Sequence, residues 1–313
     1  MSNTGRMSIL VALSMLAAVS PLCAGNLDSP KDVAFKADVD GTEQFYMEML
    51  PDGFDQKITY DLIIGLHGHG SDRKQFAVDK RSECASFRDF AAKHGMIAVT
   101  PDYRAKTSWM GPEAEADTVQ IIGDLKKKYK INRVFIVGAS MGGTSVLTFA
   151  ALHPELVDGV TSMNGHANHV EYKQFQDAIA ESFGGSKDKI PEEYKKRSAE
   201  FHANKMTMPI AFTVSDNDAV VPPASTLRLA KDLQKLKCEI LVIDRPKGGH
   251  GTSYEDAIEA MEFMLSASPK TPAKRKGKSD PSESEGDASK VKTEKPEAKV
   301  EPDEIDAAGK SEL

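Results

Sequence analysis

The stretch Val134-Phe135-Ile136-Val137-Gly138-Ala139-Ser140-Met141-Gly142-Gly143 decides the fold. Four consecutive apolar residues ending at a glycine read as a strand buried on both faces. From Gly142 to His153 the apolar side chains recur every three to four positions, which predicts a helix. Ser140 therefore stands on a strand-to-helix turn. Glycines flank it because a β-carbon there would meet the neighbouring strand or helix.

The same alternation continues outward in both directions. Short apolar runs at Phe45–Met49, Ile58–Leu66, Met96–Thr100, Val160–Met163, Ile210–Val214 and Ile240–Ile243 predict further strands. Amphipathic stretches at Glu83–His94, Ala114–Tyr129, Ser225–Leu236 and Tyr254–Ser266 predict helices between them. Strands alternating with helices imply an α/β fold with a mostly parallel central sheet and helices on both faces, over residues 28–267. Residues 165–208 are more polar and are broken by Gly184-Gly185 and Pro191; placed between two strands, they are expected to form a cap insertion over a site.

At 313 residues and 40 % hydrophobic composition the chain can build a full core. A formal charge of −7 offers no basic field for phosphate backbones, so no nucleic-acid partner is expected. Arg6, the apolar run Ile9–Val19 and Ser20-Pro21-Leu22-Cys23-Ala24 have the order of a secretory signal peptide, residues 1–24, with cleavage near Ala24. A retained anchor and a lipidated Cys23 are the alternatives. The run is shorter than the roughly 20 residues of a spanning helix, so the mature chain is expected to have no membrane span and to be secreted or periplasmic. From Ser268 to Leu313 the composition turns to Lys, Glu, Ser, Pro, Asp and Ala without an aromatic residue, which predicts a disordered charged tail. Beyond the signal peptide only Cys84 and Cys238 remain, too few for a disulfide-built scaffold, and their pairing is not legible in the sequence.

A serine hydroxyl is a weak nucleophile at neutral pH and needs a base, which in turn needs a group to fix its tautomer. Gly248-Gly249-His250-Gly251 follows the last strand, and a histidine on so free a loop can reach inward. The carboxylate comes from Ser215-Asp216-Asn217-Asp218, after the strand Ile210–Val214, with Asp216 and Asp218 both available. Acyl transfer also needs donors aimed at a developing oxyanion. The backbone N–H of Met141 is one, and the loop His67-Gly68-His69-Gly70-Ser71 supplies the other, with His69 the candidate. His67 and His69 raise the question of a metal, but two ligands are fewer than a site requires, so neither a metal nor a cofactor is expected.

Taken with Thr100-Pro101-Asp102-Tyr103-Arg104, His153-Pro154-Glu155, Asp218 to Pro222 and Gly249-His250-Gly251, the chain resembles an α/β-hydrolase. It is nearest the branch of prolyl-oligopeptidase-like catalytic domains, acetyl-xylan and feruloyl esterases and bacterial polyester depolymerases. The resemblance covers nearly all of residues 28–267. It selects Asp218 over Asp216, because Asp218 opens the Asp-x-x-Val-Pro run of the acid loop, and it matches the chain order Ser140, Asp218, His250. It implies that Trp109 and Met110, and His166 and His169, lie on loops lining a substrate cleft, which makes Trp109 and His166 the candidate substrate-binding residues. Asp102 and His153 are implied to be structural. Two departures favour esterase over peptidase: Ser215 stands where relatives carry glycine, and no propeller segment accompanies the catalytic one. The expected activity is hydrolysis of a small-molecule or polymeric ester through an acyl-enzyme. A small exported peptidase, or a binding protein that lost the chemistry, are the alternatives. Oligomeric state is not legible.

Overall fold

The computed structural model describes residues 25–269, so the expected signal peptide and all but the first two residues of the expected tail lie outside the described residues. Eight strands form one sheet: β1 (Lys31–Lys36), β2 (Glu43–Met49), β3 (Tyr60–Leu66), β4 (Ile97–Pro101), β5 (Ile131–Ala139), β6 (Gly159–Met163), β7 (Ile210–Val214) and β8 (Ile240–Asp244). Their spatial order is β1-β2-β4-β3-β5-β6-β7-β8. β1 pairs antiparallel with β2, and β2 with β4, while every later pairing is parallel.

The parallel strands are continuous Val, Ile, Leu and Met runs because both their faces are covered. In β3, Leu62, Ile64 and Leu66 enter one core cluster and Ile63 the other; in β5, Val134 and Ile136 separate from Phe135 and Val137 in the same way. This is the two-residue alternation of a strand expressed as two cores. Each such side chain, taken fully out of water, contributes about 1.5–3 kcal/mol.

Helices α1 (Lys74–Val78), α2 (Ser82–Lys93) and α8 (Tyr254–Ala267) pack on one face through Phe76, Phe87, Phe90, Met261 and Met264. On the other face lie α3 (Pro112–Lys128), α4 (Met141–Leu152) and α7 (Ala224–Lys235), through Ile121, Leu125, Leu147, Phe149, Leu229 and Leu233. Local sequence chemistry sets their ends. α3 has Pro112 in its first turn with Glu113 and Glu115, and Lys126 to Lys128 in its last, in line with the helix dipole. α8 is capped by Ser253, whose Oγ accepts the N–H of Asp256 at 3.1 Å.

The structure departs from the predicted elements at identifiable points. β3 begins at Tyr60 and not at Ile58, which is half-exposed in the preceding turn. β1 and α1 have no counterpart among the expected elements. β1 is an edge strand whose inward side is only Val33 and Phe35, and α1 is a single five-residue turn, too short to set up a periodicity. Residues 165–208 hold α5 (Gln176–Phe183), α6 (Pro191–Lys196) and a 3₁₀ segment at Ala199–Lys205. Ordered packing runs through Ser268, which is buried and whose Oγ lies 2.7 Å from the carbonyl oxygens of both Asp158 and Met264, either of which can take its single proton. Cys84 and Cys238 are both free thiols and belong to opposite faces of the sheet.

Candidate active site

Ser140, Asp218 and His250 follow β5, β7 and β8, at the carboxyl end of the parallel sheet where such folds gather their ligands. Ser140 has φ 58° and ψ −119°, a left-handed conformation that costs a non-glycine residue on the order of 1–3 kcal/mol. It is held there from both sides: its N–H donates to the Met163 carbonyl at 2.8 Å, and its carbonyl accepts the N–H of Thr144 at 3.0 Å. The turn is so tight that a β-carbon on Gly143 would stand 2.5 Å from the Met163 oxygen, which is why only glycine serves at that position.

His250 Nε2 lies 2.9 Å from Ser140 Oγ, and His250 Nδ1 lies 2.7 Å from Asp218 Oδ2. The Asp218 side chain is 1 % exposed, whereas that of His250 keeps 28 % of its surface. Burial raises the proton affinity of Asp218, but His250 and the backbone N–H groups of Val221 and Val220 outweigh it and hold the carboxyl below its ordinary range. Asp216, two residues earlier, is exposed on the outside of the same loop. An anionic Asp218 fixes Nδ1 as the protonated nitrogen and leaves Nε2 free to accept from the serine.

The structure also places residues that sequence reasoning missed. Asn164, at the end of β6 with φ 49°, directs its amide nitrogen to Asp218 Oδ2 at 3.4 Å and accepts the Thr252 hydroxyl at 2.6 Å. Tyr172 donates its hydroxyl to the Val220 carbonyl at 3.0 Å, and Gln174 donates to the Ala219 carbonyl at 2.7 Å. Loop 165–175 thus braces the acid loop. Its polar residues gave no periodic signal that would have identified the contact.

The candidate oxyanion donors lie on two elements next to Ser140: Met141 follows it in the chain, and a β-carbon built on Gly68, beside His69, would stand 3.7 Å from the Ser140 β-carbon. Met141 opens α4, where the first N–H groups have no intrahelical acceptor. The His69 amide lies in the turn after β3, between the N–H of Gly70 bonded to Lys106 and the carbonyl of Gly68 bonded to Ser71. The His69 ring packs on Phe175 and Trp109, with centroids 4.5 and 5.9 Å apart, and partial burial pushes its proton affinity down. His67 turns away from it: its ring nitrogens lie 2.8 Å from the Gly68 oxygen and 3.1 Å from the Asp102 oxygen. Among the described residues, no group of three or more His, Cys, Asp or Glu side chains is placed to hold a metal ion.

Trp109 and His166 are both buried, in one aromatic cluster with His169, Tyr172 and Phe175. His166 stacks on Tyr172 at 3.9 Å. Trp109 also faces the His69 ring, which joins this cluster to the turn after β3. Asp102 and His153 brace the frame: Asp102 accepts the backbone and guanidinium N–H groups of Arg73, and His153 Nε2 lies 2.8 Å from Glu115.

A family model described as the prolyl oligopeptidase family matches residues 88–266, more than half of the chain. No curated protein sequence matches. Solved structures of similar fold include an acylaminoacyl peptidase from Pyrococcus horikoshii, at 19 % identity and TM-score 0.61, covering 80 % of this chain and 43 % of that one. A puromycin-hydrolyzing peptidase from Mycobacterium tuberculosis is similar at 18 % identity and TM-score 0.61, with 75 % of this chain and 38 % of that one covered. A thermostable esterase is similar at 18 % identity and TM-score 0.58, with 77 % and 64 % covered. The chain spans less than two thirds of the length of each, and at these identities the likeness is one of fold.

Proposed function

The chain belongs to the prolyl oligopeptidase family of serine hydrolases, and from that premise we propose that it cleaves carboxylic esters through an acyl-enzyme formed on Ser140. The observation that carries this reading is the continuous hydrogen-bonded line from Ser140 Oγ through His250 to Asp218, at 2.9 and 2.7 Å.

In this reading Ser140 attacks the substrate carbonyl while His250 Nε2 takes the hydroxyl proton, and the resulting imidazolium is stabilised by buried, anionic Asp218. The amides of His69 and Met141 donate to the oxyanion of the tetrahedral intermediate. Collapse expels the alcohol, protonated by His250, and leaves the acyl group on Ser140. Water then attacks, activated by the same imidazole, and releases the acid. Every step is supplied by side chains and backbone. Residues 165–208 cover the site in this reading, with Trp109 and His166 shaping the wall of the substrate pocket. Residues 1–24 direct export and are removed in this reading.

Peptide hydrolysis is the second reading, favoured by the family match and by the peptidases of similar fold. Parallel turnover of short-chain p-nitrophenyl esters and of aminoacyl or prolyl anilides separates the two. Fluorophosphonate labelling of the wild type, lost in Ser140→Ala, is expected in both; Ser140→Ala should also lower turnover by on the order of 10⁶. A Ser140→Ala protein that still labels or still turns over ester would overturn both readings.

A further inference from the structure

His250 is carried by the loop between β8 and α8, which has glycines at 248, 249 and 251 and a left-handed Gly249 at φ 66°. Such a segment has more backbone freedom than any other composition allows, so something outside it must fix the imidazole. Two neighbours do so. Before the histidine, the N–H of Gly249 donates to Ser215 Oγ at 3.0 Å. After it, Thr252 Oγ1 lies 2.6 Å from Asn164 Oδ1 and 2.7 Å from Thr213 Oγ1.

Ser215 is the more telling of these tethers. It is 1 % exposed, begins the acid loop, and also accepts the N–H of Asn217 at 3.3 Å, one residue before Asp218. Its carbonyl accepts the Asp218 N–H at 3.1 Å. One buried residue therefore fixes the backbone that presents the carboxylate and the backbone that presents the base. The His250 loop is also tied to β7 by Arg245, whose N–H donates to the Val214 carbonyl at 3.0 Å, and by the Thr252–Thr213 hydroxyl pair, but Ser215 is the residue that reaches from the acid loop to the backbone beside the histidine.

We infer that Ser215 is a positioning residue, whose hydroxyl clamps the His250 loop to the Asp218 loop so that Nε2 stays within reach of Ser140. This rests on the serine-hydrolase reading above. A displacement of about 1 Å at a reacting group can cost on the order of a hundredfold in rate, so a single tether of this kind registers in turnover well before it registers in folding.

The test is hydrogen–deuterium exchange over residues 245–253 together with ester kinetics, on Ser215→Ala and Ser215→Gly, both of which only remove atoms. Loss of the tether is expected to raise exchange at Gly249 by about 5–10-fold. It is expected to lower kcat by about tenfold with KM and melting temperature nearly unchanged. Unchanged exchange at Gly249 in both variants would refute the clamp. Faster exchange with kcat at the wild-type value would refute its role in positioning. A wild type that neither labels with fluorophosphonate nor turns over substrate would remove the hydrolase reading and the positioning role with it, while the exchange data would still decide whether Ser215 holds the loop.

Discussion

The carbonyl oxygen of Leu66 occupies the space where a β-carbon on Gly142 would stand, and the His67 oxygen lies 2.8 Å from the same point. The end of β3 and the first turn of α4 are thus packed backbone against backbone, which brings the loop of His69 beside the helix that presents Met141. A methyl group at residue 142 must push these two elements apart.

Gly142→Ala is accordingly expected to destabilise the protein by about 1–3 kcal/mol or more through overpacking. Because both candidate oxyanion donors shift with it, labelling by fluorophosphonate should slow as well. Thermal unfolding and a labelling time course measure the two effects; a variant identical to wild type in both would show that the backbone contact is not needed.

Replacing Asp218 by Asn should lower kcat by roughly 10⁴, since the amide can hold His250 in the wrong tautomer. Asp216→Asn, on the exposed side of the loop, should stay near wild type. Equal losses in the two variants would remove the assignment of Asp218.

Arg197 is fully buried and ties residues 165–208 to the frame: it pairs with Glu193 at 2.6 Å, forms an ion pair with Glu115 at 2.8 Å and donates to the Met110 carbonyl at 2.6 Å. Burial raises the proton affinity of Glu115, but His153 and Arg197 outweigh it and bring its carboxyl down to about 2. Arg197→Met leaves that carboxylate without its guanidinium and should cost about 3–5 kcal/mol. Adding Glu115→Gln should recover part of the loss, and chemical denaturation of the single and double variants tests the coupling.

Acidification should weaken the fold through two buried histidines outside the triad. Burial holds the proton affinity of His166 down to about 3 and that of His169 well below the ordinary imidazole range, with Lys187 and, for His169, His166 and Arg197 adding to the effect. Below about pH 6.5 the unfolded chain binds protons on both rings that the folded chain refuses, so stability falls as the pH falls, by up to about 1.4 kcal/mol per pH unit for each ring. The loss continues until the folded rings themselves titrate. Denaturation at about pH 7 and about pH 5.5 measures the slope, and His166→Gln with His169→Gln should flatten it. The same slope in wild type and double variant would exclude these residues as its source.

The turn around Ser140 was legible because strand, glycine, serine and helix are neighbours in the chain, and the steric demand that selects them acts over a few residues. The central strands were legible for a similar reason: being covered on both faces forces unbroken apolar runs. β1 was not, since an edge strand needs only Val33 and Phe35 on its inner side.

The amino-acid order alone thus determined the layered α/β plan and the places of the candidate hydroxyl and imidazole along it, and left the carboxylate open between Asp216 and Asp218. Tertiary structure alone decided which groups hold them still. Asn164 meets Thr252 across 88 residues, Ser215 meets Gly249 across 34, and Arg197 meets Met110 across 87. No local pattern encodes such partners, because a buried hydrogen bond asks only that donor and acceptor converge in space, and convergence is set by how the sheet brings its strand ends together.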